Sequence, residues 1–244
     1  MMTGVIFSIL IVRYFLVAGL FYLYFFKWKQ EAWVARKLHR KNPSMSQCRK
    51  EISWSVITSV IFAVAGTLSI LLWQQGNSRI YLEIAEFGWL YFMASIVIAM
   101  LLHETYYYWL HRWMHTASIF RTVHKVHHDS MVVSPWTAFS FHPLEGLLEA
   151  LVLPLLIFIL PLHPYAIVIY LTIMTISSVV NHLDIELFPK NFDKHWLGKW
   201  LIGATHHSAH HSHFRFNYGL YFTFWDKWMR TEKTVEDNLV GGVD

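Results

Sequence analysis

Four apolar stretches, at 5–26, 54–73, 87–102 and 147–180, constrain this chain more than any other feature. A helix needs about 20 such residues to cross roughly 30 Å of hydrocarbon. Within a bilayer only helices and closed barrels satisfy every backbone N–H and C=O. The first two stretches qualify outright. The third is flanked by Tyr106, Tyr107, Tyr108 and Trp109, which suit the headgroup region and extend it to about residue 109. The fourth is divided by Pro161 and Pro164 into 147–160 and 165–180, a hairpin whose halves are somewhat short and either span or re-enter. The expected fold is therefore all-α, an integral membrane helical bundle with four or five crossing segments in a single domain, residues 1–244. A content of 55% hydrophobic and 15% charged residues excludes an ordinary soluble domain.

Lysine and arginine set the orientation. The loop after the first span holds Lys27, Lys29, Arg36, Lys37, Arg40, Lys41, Arg49 and Lys50, whereas the loop after the second holds only Arg79. The former is expected on the cytoplasmic side. With the hairpin crossing twice, 102–146 and 181–244 return to that same side. The net charge of +4 follows from this orientation and suits anionic headgroups, so no nucleic-acid partner is expected. Nor is a cleaved signal peptide, because residues 1–5 carry no cationic side chain and no small-residue cleavage site follows the apolar run. Arg13 lies near mid-span, where an uncompensated cation costs about 2.5–3.5 kcal/mol on insertion scales. A snorkelling or helix-paired arginine is expected there, with an anionic headgroup site as the alternative. Trp54, Trp73, Trp89 and Trp109 fit an interfacial belt.

Eight histidines fall into three short arrays: His111 and His115; His124, His127 and His128; His207, His210 and His211. Residues three and four apart on a helix share a face, so each array is expected to aim its imidazoles at one spot. Burying so many polar rings without a shared partner would leave donors and acceptors unsatisfied, which points to metal. Cys48 is the single cysteine, which rules out an intramolecular disulfide, a thiolate zinc site and an iron–sulfur cluster. Imidazole alone suits zinc, copper, iron or nickel. The count is more informative, because a structural zinc takes four ligands and a catalytic one three, so eight fit two metals. No glutamate is followed three residues later by histidine, as in the di-iron carboxylate bundles. The run from His103 and Glu104 to Tyr107 lacks the second histidine of a zincin.

Taken together, the segments ETYYYWLHRWMH at 104–115, HKVHH at 124–128, FHPLE at 141–145, HSAHH at 207–211 and Asn217-Tyr218-Gly219 resemble the fatty acid hydroxylase and sterol desaturase superfamily over roughly residues 90–231. The resemblance implies a cytoplasmic helical cap holding two iron ions. Its ligands would be His111, His115, His124, His127, His128, His207, His210 and His211, joined by His182 at the end of a span. It also implies O2 as co-substrate and a membrane lipid, whether sterol, fatty acyl chain, sphingoid base, ether lipid or carotenoid, that is hydroxylated or desaturated. The chain has no Rossmann glycine fingerprint and no haem or flavin domain. Electrons are therefore expected from an external donor, a reductase with a ferredoxin or a cytochrome b5-like carrier. Zinc or nickel can replace ferrous iron on such ligands in a purified sample. The implied location is the endoplasmic reticulum or the bacterial inner membrane, with the active site on the cytoplasmic face. Glu186 stands where some branches carry a further histidine, and it, His142 and His206 are additional ligand candidates. Glu104, Asp129, Glu145 and Asp184 are candidates to orient ligating rings from behind, Glu104 through His111.

Two other readings compete. A divalent-metal transporter or metal-sensing membrane protein would need ionisable ligands near the bilayer midplane, and the spans are almost free of them. A catalytically inactive, lipid-binding relative is disfavoured because none of the arrays lacks a histidine. His39, His103, His163, His195 and His213 are expected as packed or capping side chains.

Overall fold

The apolar stretches form helices in a computed structural model that describes residues 1–233. Helix α1 (Met2–Leu23) runs on into a π turn, Tyr24–Trp28. Helix α2 (Met45–Gln74) starts at Ser44, whose side chain accepts from the Gln47 N–H and so satisfies one of the orphan donors of a helix N-terminus. Helix α3 (Gly88–Met114) ends among the histidines. Helices α4 (Pro143–Ala150), α5 (Val152–Ile159) and α6 (Pro164–Asn181) follow. His142 and His163 cap α4 and α6, and each is followed by a proline that costs nothing at the first helical position. Helix α7 (Ala204–His213) carries the last array. Among the described residues there is no β-strand, only isolated bridges.

Met2–Trp28, Met45–Gln74, Gly88–Met114 and Pro164–Asn181 are long and apolar enough to cross a membrane. Their outward faces are greasy, as the lipid requires: Val5, Ile9, Leu16 and Leu20 of α1, with Val60 and Val64 of α2, are 49–61% exposed. Small polar side chains, Ser55, Thr58, Ser59 and Ser95, lie buried between helices instead, where they allow close approach. The protein is a multi-pass membrane bundle.

The hairpin differs from a pair of regular spans. Its descending half breaks at Leu151 into two helices of eight residues each, so neither qualifies by length. The pair still traverses the bundle, because Glu145 at its start touches His124 whereas its end meets the loop between α2 and α3. There the Arg79 N–H donates to the Ile157 carbonyl at 2.7 Å and the Tyr81 N–H to Leu162 at 3.3 Å. Helix α6 then returns, which brings His182 back to the level of His127. The basic loop arrives at that same end: Leu38 N–H donates to the Asp184 carbonyl and Glu186 N–H to the Arg36 carbonyl.

A single carboxylate pins the cap to the bundle. Glu51 of α2, 1% exposed, accepts hydrogen bonds from Gln47, Ser130 and Ser134 at 2.7 Å each and from Thr137 at 3.0 Å. Beneath it Tyr14, Ala18, Phe139 and Phe141 form one core cluster. Phe92, Ile96, Leu156 and Tyr170 form a second, towards the opposite end.

Candidate metal centre

Nine histidines from four parts of the chain converge. His111 lies in the last turn of α3 and His115 caps its end. The π turn Phe120–His124 and the helical turn Lys125–His128 supply the second array, His182 caps the C-terminus of α6, and α7 supplies the rest. Their ring nitrogens form two groups. His111, His115, His124, His128 and His210 make one, and His127, His182, His207 and His211 the other. Each expected array of three is therefore divided. The pairs four residues apart, 124 with 128 and 207 with 211, stay together, while His127 and His210 cross to the other group. At 100° per residue a fourth neighbour is offset by about 40° and a third by about 60° the other way, enough to aim at a second centre a few ångströms away.

The hydrogen bonds decide what these rings present to one another. The Nδ1 atoms of His111, His182 and His210 face the carbonyl oxygens of Tyr218 (2.9 Å), Ser178 (2.7 Å) and Phe216 (2.6 Å), and that of His124 faces Glu145 at 2.7 Å. A carbonyl only accepts, so in His111, His182 and His210 Nδ1 carries the proton and Nε2 is left with a bare lone pair. Yet Nε2 of His111 lies 3.0 Å from that of His124, and Nε2 of His210 lies 3.1 Å from that of His128. Nε2 of His182 lies 2.9 Å from His207 and 3.2 Å from His127. An N–H···N bond can satisfy one such pair, but five and four ring nitrogens gathered within 4.8 Å of one another exceed what such pairs can satisfy, and a cation in each group would engage them all. With metal–nitrogen bonds of about 2.1 Å, ligands at right angles would be roughly 3.0 Å apart and tetrahedral ones roughly 3.4 Å. The donor set thus fits two metal ions, with spacing closer to that of five- or six-coordinate ions than to tetrahedral zinc.

Burial, followed by the neighbouring imidazoles, holds His115, His127, His128, His207 and His211 well below the ordinary imidazole range. Burial likewise lowers His124 and His210 and pushes His182 down to about 4. Neutral rings are the form that binds metal.

Glu145 stands behind His124 as expected, both side chains 1% exposed. Glu104 does not orient His111 directly. Its carboxylate accepts the backbone N–H groups of Leu220, Tyr221 and Phe222, with the Tyr221 contact at 2.6 Å, and so fixes the loop whose Tyr218 carbonyl holds His111. Gly219 makes the approach possible, since a Cβ there would lie 2.6 Å from the Phe222 carbonyl oxygen and 2.9 Å from Glu104. Asp226, which the histidine spacing gave no reason to single out, accepts from Tyr218 and Gly219 N–H at 2.9 Å and from the Thr231 hydroxyl at 2.8 Å. Burial pushes its carboxyl up to about 6. Its one sequence signal is an acid inside the aromatic run Phe224–Trp228.

Other expectations give way to different partners. Glu186 joins neither histidine group: its oxygens accept the N–H of Phe188 and of Thr205 in the first turn of α7, so it anchors that helix as an N-terminal carboxylate. Asp129 is drawn outward by Lys50 (2.8 Å) and Lys125 (2.7 Å). Asp184 pairs with His39 at 2.6 Å. His142 caps α4, and His206, half-buried with both ring nitrogens enclosed and neither partnered, lies outside both groups. His163 and His195 cap backbone N–H groups, and His213 bonds back to Ala209. Phe214 ends α7 at φ 61°, a left-handed position that glycine usually fills, and its ring packs on His128 at 4.9 Å.

The four-histidine group opens on a cavity of ≈ 140 Å³ that descends between the helices, with His127, His182 and His207 at its head. Phe139, Phe141 and Met174 line its middle, and Ile6, Leu10 and Arg13 line it further down. Arg13 has no hydrogen-bond or ion-pair partner among the described residues, so the expected helix pairing is absent.

The profile of the fatty acid hydroxylase family matches residues 96–231. The chain is 31% identical over 185 residues to lathosterol oxidase of Mus musculus, covering 75% of this chain and 60% of that protein. It is 29% identical over 195 residues to a Delta(7)-sterol 5(6)-desaturase of Gibberella zeae, covering 80% of this chain and 58% of that one. A second Delta(7)-sterol 5(6)-desaturase of that organism is 30% identical over 234 residues, or 95% of this chain and 62% of its own. The chain thus spans about 60% of the length of these relatives. No solved structure matches it.

Proposed function

The chain belongs to the fatty acid hydroxylase family, and on that premise we propose that it is a membrane-bound di-iron oxidoreductase that hydroxylates or desaturates an unactivated C–H position of a lipid. The observation that carries this reading is the convergence of nine imidazole nitrogens in two groups, three of them with Nε2 lone pairs bared by backbone carbonyls. Five imidazoles, His111, His115, His124, His128 and His210, would hold one iron. His127, His182, His207 and His211 would hold the other. When bound, the pair supplies O2 activation driven by electrons from outside the chain.

The remaining work falls to the protein. Carbonyls of Tyr218, Ser178 and Phe216 and the carboxyl group of Glu145 hold the Nδ1 sides of His111, His182, His210 and His124, so the Nε2 atoms of those four rings face the metals. Phe141 packs against His127 with ring centroids 5.1 Å apart, and with Phe139 it keeps water from the head of the cavity. A lipid chain entering from the bilayer reaches His127, His182 and His207 without crossing water. That fits the lathosterol oxidase and sterol desaturase relatives, whose names specify sterols. The electron donor would be a reductase with a ferredoxin or a cytochrome b5-like carrier. The site would face the cytoplasm, where the basic loop gathers, in an endoplasmic reticulum or bacterial inner membrane.

Comparative lipidomics of cells with and without the chain tests this directly. The expected product differs from its precursor by one added oxygen or by two lost hydrogens, and His127→Ala abolishes it. Product at the normal level from that variant would overturn the reading.

A further inference from the structure

One wall of the cavity is polar where everything around it is apolar. His103 of α3 is 3% exposed, and its Nδ1 lies 2.7 Å from the Tyr170 hydroxyl and 2.9 Å from the Tyr221 hydroxyl. Its Nε2, a donor in one tautomer and an acceptor in the other, has no partner. Glu149 of α4 is 8% exposed and its carboxyl makes no hydrogen bond or ion pair among the described residues. Neither does the hydroxyl of Tyr107, one helical turn beyond His103. All three residues line the same cavity. A buried polar group without a partner is costly, and groups of this kind are rare in a folded protein unless something fills the gap.

We propose that His103, Glu149 and Tyr107 form a recognition subsite for an alcohol hydroxyl, and that the substrate is therefore a lipid alcohol and not a plain acyl chain. The chemistry is complementary. A hydroxyl both accepts and donates, so it can pair with the His103 Nε2 in either tautomer and with Glu149 or Tyr107. An ester or ether oxygen can accept but gives nothing back. Glu149 stands four residues beyond Glu145, which touches His124, so the subsite lies about 6 Å further from the metals along the helix. The oxidised carbon is then separated by several bonds from the carbon that carries the hydroxyl.

This inference rests on the oxidoreductase reading for its site but is tested by binding, without turnover. The full chain, purified in detergent and assayed for metal content, is titrated with a fluorescent sterol alcohol and its 3-O-methyl ether. A long-chain fatty alcohol and its methyl ether are run alongside. At least one alcohol is expected to bind about tenfold or more tightly than its ether. Glu149→Leu removes the preference with metal content unchanged, and Glu149→Gln, which keeps a hydrogen-bonding group, retains most of it. Equal binding of alcohol and ether in the wild type, or the same preference in Glu149→Leu, overturns the proposal. Loss of metal or of O2 uptake in the wild type would instead count against the di-iron reading.

Discussion

Removing the metals with a chelator and lowering the pH from 7.5 to 5.5 is expected to open α7 while the membrane helices stay in place. His207, His210 and His211 on that helix are held neutral by burial, whereas in an opened helix they titrate near 6.5. The folded value lies below the unfolded one, so the opened state binds more protons. Stability therefore rises with pH through the region around 6.5 and is lost as the pH falls beneath it. Integrated between pH 7.5 and 5.5, each such histidine contributes about 1.4 kcal/mol, a tenfold change. The three on α7 give about 4 kcal/mol, roughly a thousandfold loss of amide protection. An opening that also frees His115, His124, His127, His128 and His182 would become about 11 kcal/mol easier over the same pH range. Hydrogen exchange measured by mass spectrometry across Ala204–His213, corrected for intrinsic rates, reads this out. Metal-loaded protein should resist until the metal leaves, because its lone pairs are engaged. A change below about tenfold in the chelated protein would show that the rings are not a neutral, buried set.

The grouping of the histidines predicts unequal effects. His182→Ala reduces a group of four to three, whereas His115→Ala reduces a group of five to four. If one ligand contributes its share of a four-ligand site, about 2.5–4 kcal/mol, elemental analysis after matched dialysis should find close to one metal lost per chain in the former and near-full content in the latter. Equal losses would refute two separate sites. Glu104→Gln turns an amide group towards three backbone donors and should lower stability by about 3 kcal/mol. Gly219→Ala should act in the same direction, and unchanged thermal midpoints in both would exclude the cradle as a support. Glu51→Ala strands the four donors it now accepts, with a loss of about 3–5 kcal/mol in detergent-based thermal denaturation, while Glu51→Gln should lose less.

How much of this was legible in the sequence depends on how far each contact reaches along the chain. Spans follow from local hydropathy, and the histidine arrays follow from helical spacing, so both could be read without coordinates. The break at Leu151 has a local cause as well, because Pro154 has no N–H to offer the Ala150 carbonyl four residues back and so interrupts the helix within 147–160. The division of the nine histidines into five and four was only half visible. Spacing by four keeps two rings together and spacing by three separates them, but that rule decides nothing until a second centre exists to receive His127 and His210. Carboxylates were the least legible class, since an acid beside a histidine motif has the same composition whether it meets an imidazole, a lysine or a row of amides. Glu145 reaches His124, Asp129 is claimed by two lysines, and Glu104 and Glu186 turn to backbone N–H groups. What separates them is desolvation. A buried carboxylate needs several donors, and the loop amides at 220–222 supply three where a single imidazole could supply one. By that same criterion Glu149, buried and without a hydrogen-bond partner among the described residues, is the acid that the proposed substrate hydroxyl would partner.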